Sequence, residues 1–100
     1  MIRATTPTHT FELPFAANQL AKIRISYAQN DAVVFEKTEA DCVVEGNSIK
    51  VTLTQEETLQ FDSTYNVQIQ IRALTADGKA LASQIEKVRI KDVLNEEVLT

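Results

Sequence analysis

The side chains that could do chemistry in this sequence are few and lie far apart along the chain. It contains one histidine, His9, and one cysteine, Cys42. Acid–base and nucleophilic catalysis need such groups beside a partner that positions or activates them. Cys42 lies between Asp41 and Val43, which supply no positive charge to lower the thiol pKa. We interpret His9 as a solvated histidine at a strand start and Cys42 as a small buried hydrophobic residue.

Acidic residues form the other group with possible chemistry. They cluster at Glu36, Glu39 and Asp41, at Glu56-Glu57, and at Glu96-Glu97. Paired carboxylates can hold calcium or serve a glycosidase, but no calcium-loop, Walker, GxGxxG, GxSxG or HExxH motif accompanies them. We interpret them as solvated loop charges and predict no catalytic residues, no metal and no cofactor. An enzyme would require a cleft that unites His9, Cys42 and an acid.

Composition limits the class of protein further. The chain has 100 residues, of which 44% are hydrophobic, so we expect one folded domain over residues 1–100. Its net charge of −4 argues against nucleic-acid binding, which needs clustered Lys and Arg. No stretch approaches the roughly 20 apolar residues of a membrane-spanning helix. We therefore expect neither nucleic acid nor membrane as a partner.

The single cysteine and the N-terminal residues bear on location. One cysteine cannot form an intrachain disulfide, which fits folding in a reducing compartment. Residues 1–7 contain no apolar run of the kind found in signal peptides. We expect synthesis and retention in the cytoplasm, unless a dedicated machine carries the protein out.

Alternation of apolar and polar residues is the strongest structural signal, and it predicts β-strands. The alternating apolar positions are Phe11, Leu13 and Phe15; Ile23, Ile25 and Tyr27; Ile49, Val51 and Leu53; and Tyr65, Val67, Ile69 and Ile71. Pro14 has no N–H to donate, so the first strand should lie at an edge or end there. A further strand should place Val33 and Phe35 inward, and Val43-Val44 marks a short one.

The remaining signals are turns, one helical turn and one irregularity. Gln29-Asn30-Asp31, Glu45-Gly46-Asn47 and Asp77-Gly78 have turn chemistry. Thr54 followed by Glu57 is a capping-box pattern, which predicts a short helical turn near residues 55–60 with Leu59 and Phe61 closing the end of the sandwich. In the last strand the apolar parity changes between Ile85 and Val88, which predicts a bulge near Glu86-Lys87.

These elements predict an all-β fold. About seven antiparallel strands, with turns roughly every 8–12 residues, are typical of a β-sandwich, and their order resembles an immunoglobulin-like Greek key. The Cys–Trp–Cys signature of antibody domains is absent, since the chain has no Trp. Residues 1–8 and 95–100 should be flexible ends.

Two surfaces are candidates for binding another protein. The polar face of one strand carries Asn66, Gln68, Gln70 and Arg72, and a second polar stripe carries Lys22, Arg24 and Ser26. Such faces can be simply solvated or can supply interfacial hydrogen bonds. The C-terminal segment carries two apolar pairs, Val93-Leu94 and Val98-Leu99. It can pack on its own domain or add to the exposed sheet edge of a neighbour.

Several phrases of the sequence resemble a known group of proteins. They are Thr5-Thr6-Pro7-Thr8-His9, Leu13-Pro14-Phe15, Ile25-Ser26-Tyr27-Ala28-Gln29, Leu53 to Leu59, Val67 to Arg72, and Asp77-Gly78. Over nearly its whole length the chain resembles small proteins encoded in prophages of Gram-positive gut bacteria. Over Thr54 to Gly78 it is loosely similar to the immunoglobulin-like N-terminal module of phage baseplate proteins.

The resemblance implies a non-catalytic structural or assembly protein of a phage, associated with the virion, tail or baseplate. Its partners would be other phage structural proteins or further copies of itself. The alternative hypothesis is a carbohydrate- or cell-surface-binding module. Sugar stacking favours exposed aromatic residues, whereas Tyr27 and Tyr65 fall at predicted apolar-face positions.

Overall fold

The computed structural model describes residues 1–100, and β-strands dominate it. One short α-helix, α1 (Gln55–Leu59), and two 3₁₀ turns, Ala17–Gln19 and Glu39–Asp41, connect the strands. The strands are β1 (Thr8–Glu12), β2 (Leu20–Gln29), β3 (Ala32–Thr38), β4 (Cys42–Glu45), β5 (Ser48–Thr52), β6 (Val67–Thr75), β7 (Ala80–Ala82) and β8 (Glu86–Val88).

The strands form two antiparallel sheets that pack face to face, which confirms the predicted all-β sandwich with a short helical turn. One sheet has the order β1-β5-β4, and the other has the order β3-β2-β6-β7, with β8 also paired to β6. The chain moves between sheets after β1, β3 and β5. These orders correspond to strands B-E-D and C′-C-F-G of an immunoglobulin domain. In an immunoglobulin domain a further strand, A, pairs with the outer edge of strand B. This chain has no strand in the corresponding position beside β1.

The core lies between the sheets and is built from the predicted alternating positions. Burial of apolar side chains away from water is the main stabilising contribution to such a fold. Central strands β2, β5 and β6 supply most of the core, and α1 is followed by the buried Phe61. The core residues are Ala17, Ile23, Ile25, Tyr27, Ile49, Val51, Leu53, Phe61, Val67, Ile69, Ile71 and Ile90.

The inward placement of Val33 is wrong. Tyr27 pairs with Phe35 but Ala28 pairs with Val33, so the register between β2 and β3 shifts at Val34. The extra residue turns Val33 to the outer face, where it is 57% exposed, while Phe35 stays against the core. Sequence alternation could not reveal the shift, because all of Ala32 to Phe35 are apolar.

The last strand is interrupted, as its change of parity predicts, but at an earlier position than Glu86-Lys87. Arg72 pairs with Ala82 in β7, whereas Ile69 pairs with Glu86 in β8, so one extra residue lies between the two strands. Ser83 occupies this irregularity. Its Oγ accepts a hydrogen bond from the Ile71 N–H at 3.1 Å, and its own N–H donates to the Ile71 carbonyl at 2.9 Å.

The predicted turns and helix cap are present. Asn30 and Asp31 both have positive φ, 51° and 62°, between β2 and β3, and Gly78 has a φ of 90° between β6 and β7. At the start of α1, Thr54 Oγ1 accepts from the Glu57 N–H at 3.1 Å, and a Glu57 oxygen accepts from the Thr54 N–H at 2.8 Å. This reciprocal cap compensates for the shortness of the helix.

Tyr65 lies outside the strand in which the sequence pattern placed it. Strand β6 begins at Val67, and Tyr65 is 45% exposed. The segment before β6 is held by Gln29, whose amide donates to the Asp62 and Tyr65 carbonyls at 2.6 and 3.0 Å. Gln29 also accepts from the Asp62 N–H at 2.8 Å, so this buried amide replaces the strand pairing that the segment lacks.

Both ends of the chain contact the domain. Arg3 donates to Asp92 and Glu96 at 2.6 Å each and to the Leu59 carbonyl at 2.9 Å. Near the other end, the Gln55 side chain donates to the Leu99 carbonyl and accepts from the Leu99 N–H, both at 2.8 Å. Flexibility of residues 1–8 and 95–100 stays a prediction, but any motion of these ends must break these contacts.

Candidate interaction site

The outer face of β6 is polar, but its glutamines already have partners within the chain. Gln68 donates to the Asp31 carboxylate and accepts from the Asp31 N–H, both at 2.9 Å. Gln70 donates to the Ser83 carbonyl at 3.0 Å. Asn66 precedes the strand and is exposed. The two glutamines therefore brace neighbouring turns, and binding through them would exchange existing hydrogen bonds for new ones.

A basic group lies at the other end of the same face. Arg24 of β2 is directly opposite Arg72 of β6, and like charges in that position repel. Arg24 is drawn towards Glu39, whose carboxylate it meets at 2.7 Å. The Glu39 pKa is lowered by hydrogen bonds from its own backbone and from Ile23, with Arg24 contributing. Arg72 is exposed and forms no ion pair.

The C-terminal segment forms no strand. Val93 and Val98 are half-buried, whereas Leu94 and Leu99 are exposed. Apart from the Gln55–Leu99 pair, the segment is held by Glu96, which meets the Arg3 guanidinium at 2.6 Å. The structure thus places this segment on its own domain, through polar contacts rather than through its leucines.

The outer edge of β1 is unpaired. This strand pairs only with β5, in a register that sets Phe11 opposite Ile49. The Leu13 N–H donates to the Asn47 carbonyl at 2.8 Å, and hydrogen-bonded pairs alternate along an antiparallel ladder. His9 and Phe11 therefore bond to β5. The strand residues whose N–H and C=O groups point away from β5 are Thr8, Thr10 and Glu12.

A cleft follows this edge. It lies between β1 and the β7–β8 edge of the other sheet, has a volume of about 470 Å³, and includes Ile69, Ile71 and Ser83 in its lining. A second, smaller cleft of about 190 Å³ continues it past Leu13 towards Leu81. The two clefts share Leu13, Ile71 and Ser83. Together they form an apolar groove beside the free backbone edge.

His9 lies in this groove and is not the solvated residue that the sequence indicated. It is half-buried, and its Nδ1 lies 2.7 Å from the hydroxyl of the buried Tyr27. Burial, together with the positive N-terminal amine, lowers the His9 pKa, and burial raises the Tyr27 pKa. Both groups are therefore neutral near pH 7, and the pair acts as a polar contact across the sandwich.

Cys42 is half-buried, as expected of a small hydrophobic residue, and its Sγ donates to the Thr38 carbonyl at 3.3 Å. Burial raises its pKa, and the nearby carboxylates of Asp41 and Glu39 raise it further. His9 and Cys42 both lie opposite Val51, on either side of β5. The buried Val51 side chain separates imidazole from thiol, so the two do not meet in one cleft.

The carboxylates interpreted as solvated loop charges serve the fold in several places. Glu39, Glu57 and Glu96 each form an ion pair, and Asp41 accepts from the Thr38 N–H at 2.9 Å. No group of three or more His, Cys, Asp or Glu side chains is arranged to hold a metal ion. No helix has the length and hydropathy needed to cross a membrane.

Fold and site together describe an immunoglobulin-like β-sandwich in which the unpaired outer edge of β1 borders an apolar groove. Comparison of the chain with protein-family models, with curated proteins and with solved structures found no match. The function must therefore be argued from these residues themselves.

Proposed function

We propose that this protein is a non-catalytic binding module that acts through contacts with other proteins. The observation that carries the proposal is the outer edge of β1, where the backbone groups of Thr8, Thr10 and Glu12 have no partner in the chain. Unpaired edge strands are templates for pairing with another chain. Here the edge borders an apolar groove, so a bound segment gains both hydrogen bonds and burial.

The edge supports this function better than the polar face of β6. Gln68 and Gln70 already donate to Asp31 and Ser83, so a partner would have to displace those contacts. The N–H of Thr10, by contrast, is available without any rearrangement. Binding that breaks no existing hydrogen bond is favoured, because an unpaired polar group costs about 1–3 kcal/mol when buried.

The finer proposal is a structural or assembly protein of a phage, made in the cytoplasm and associated with the virion, tail or baseplate. Support for it comes from the resemblance of the chain to small prophage-encoded proteins. A binding module without catalytic groups suits such a role, in which the partners are other structural proteins or further copies of the chain.

Reconstitution tests the function. The genes beside this reading frame are identified, and each encoded capsid or tail protein is purified and titrated into the purified chain by calorimetry. We expect one such protein to bind with defined stoichiometry. A reading frame far from any capsid or tail gene, together with no binding by the neighbouring products, would contradict the phage proposal.

Carbohydrate binding is the second candidate, and the exposure of Tyr65 is the observation that favours it. An aromatic ring with an open face can stack on a sugar. A glycan array tests this function. Binding that is lost in Tyr65→Ala would support it, whereas an array without binders would reject it.

A further inference from the structure

We propose that the groove beside β1 accepts an extended segment of a partner protein, which adds to β1 as a new strand and carries basic side chains at its ends. This inference rests on the proposed binding function and names its site and the chemistry of its partner. The segment would take the position that strand A occupies beside strand B in an immunoglobulin domain.

The backbone of β1 sets the binding mode. Thr8, Thr10 and Glu12 point their N–H and C=O groups outward at alternate positions, which is the pattern that an added strand requires. At the β5 side the same strand is fixed by a full ladder, so its geometry exists before binding. A pre-formed edge needs little ordering when a partner arrives.

The groove sets the side-chain pattern of the partner. Its apolar lining comes from Phe11 of β1, from Leu13 just after this strand, and from Ile69 and Ile71 of β6. A strand placed along β1 directs every second side chain into this space and the others to solvent. The cleft of about 470 Å³ and its extension of about 190 Å³ have room for several aliphatic side chains. The segment must therefore be apolar at alternate positions.

Charge sets the ends of the partner segment. The charged residues that line the main cleft are Glu12 and Glu86, and both are acidic. Glu86 is opposite Ile69, so it lies on the inward face of β8, beside the apolar residues that line the cleft. Glu12 accepts from the Ser48 hydroxyl of β5 at 2.8 Å, so its carboxylate lies on the outer face of the β1–β5 pair. Lys or Arg side chains on the segment would be attracted to these carboxylates.

Charge also argues against two other occupants. The C-terminal segment of a second copy carries Glu96 and Glu97, which would approach the acidic residues of the groove. Pairing of β1 with β1 of a second copy would place two acidic grooves next to each other. A chain of net charge −4 is a poor ligand for its own acidic groove. A basic segment from a different protein fits better.

Synthetic peptides test the inference directly. The probe is a capped peptide in which Val alternates with Thr and Lys stands at each end, and binding is measured by calorimetry and amide chemical shifts. Two control peptides replace the terminal Lys by Glu or the central Thr by Pro. We expect the Lys peptide to bind, with shifts centred on Thr10 and Glu12, and each control to bind at least about tenfold more weakly.

Proline variants test the edge. Thr10→Pro removes an outward N–H without touching the β1–β5 ladder, so the fold should persist, as a thermal melt will show. Val44→Pro is the matched control, since Val44 lies on the opposite, β4 edge of the same sheet. We expect Thr10→Pro to weaken the Lys peptide at least about tenfold and Val44→Pro to leave its affinity unchanged. Equal affinity of both variants would overturn the inference.

Charge reversal tests the partner chemistry. Glu12→Lys with Glu86→Lys should lower the affinity of the Lys peptide several-fold and raise that of the Glu peptide. Glu36→Lys, on the outer face of β3, is the control and should change neither. No change in the double variant would contradict the charge argument.

Failure of this inference can be separated from failure of the proposed function. Should a reconstituted partner protein bind the wild type and Thr10→Pro equally while the peptides do not bind, the groove is wrong and the binding function survives. In that case Glu86 is an inward-facing charge beside the groove that discourages other strands from pairing with β1. A dimer of the free chain that Thr10→Pro abolishes would identify a second copy as the occupant and overturn the inference.

Discussion

The two open sides of the sandwich, where the edges of the sheets approach each other, are built differently in this molecule. On one side β3 faces β4, and the Glu39–Asp41 turn and α1 cover the gap. On the other side β1 faces β7 and β8, and nothing in the chain covers the gap. We call the first the closed side and the second the open side.

The closed side is held by side chains that turn inward from the edge. Lys37 of β3 meets Glu57 of α1 at 2.5 Å, with side chains 11% and 21% exposed. Burial opposes ionisation of Glu57, but hydrogen bonds from Lys37 and Thr54 outweigh it, so its pKa is lowered. Behind this pair, the rings of Tyr27, Phe35 and Phe61 pack with centroids 5.0 to 6.2 Å apart.

The open side has comparable apolar groups but no such cover. Phe11 and Leu13 are only half-buried, and Leu81 is exposed although it lies opposite the inward-facing Ala73. The difference teaches that side chains cover the gap between the sheets on the closed side and leave it uncovered on the open side. The open side is therefore the place where a binding function can be located without disturbing the core.

The largest expected effect comes from truncating the aromatic cluster of the closed side. Phe61→Ala should lower the free energy of unfolding by about 3–5 kcal/mol, since Phe61 is buried and its loss leaves a cavity. Phe11→Ala on the open side should cost less than about 2 kcal/mol, because its ring is only partly buried. Urea denaturation measures the free energy of unfolding of both variants. Equal losses of stability would contradict the difference between the two sides.

The ion pair of the closed side should give an intermediate effect. Lys37→Ala leaves the Glu57 carboxylate without its partner and should destabilise the fold by about 1–3 kcal/mol. Lys50→Ala is the matched control, since its pair with Glu45 is exposed and spans 3.9 Å. That change should cost below about 1 kcal/mol. A larger loss in the control than in Lys37→Ala would show that the closed side is not held by this pair.

The smallest effect concerns His9 on the open side. Burial lowers its pKa below the ordinary 6.5, so the unfolded chain binds a proton at a higher pH than the folded chain does. The free energy of unfolding should therefore fall as pH drops below about 6.5 and stop falling below the folded-state pKa. His9→Gln should remove this slope. An unchanged slope in His9→Gln would assign it to other groups.

Local sequence signals predicted much of the fold. The alternation in β2, β5 and β6, the Thr54–Glu57 cap and the turns at Asn30 and Gly78 depend on neighbouring residues only, and the structure contains all of them. Pro14 predicted that the first strand lies at a sheet edge or ends there, and β1 is an edge strand that ends at Glu12.

The features that sequence reasoning missed depend on residues distant in the chain. The bulge at Val34 is set by the register of two strands. The hydrogen bond of His9 to Tyr27 and those of Gln29 to Asp62 join different parts of the molecule. The groove beside β1 results from the strand order, because β1 is the last strand of its sheet and no further strand pairs with its outer edge. The position of Glu86 opposite Ile69 also depends on strand pairing, because the extra residue near Ser83 shifts the register of β8.

Amide hydrogen exchange of the free protein tests the central claim, that the outer edge of β1 is open. Two-dimensional NMR spectra recorded after transfer to D₂O give the exchange rate of each amide. Rapid exchange at Thr8, Thr10 and Glu12, with protection at His9, Phe11 and Leu13, is the predicted result. Protection of Thr10 and Glu12 equal to that of Phe11 would mean that the edge is already paired, and would contradict the account.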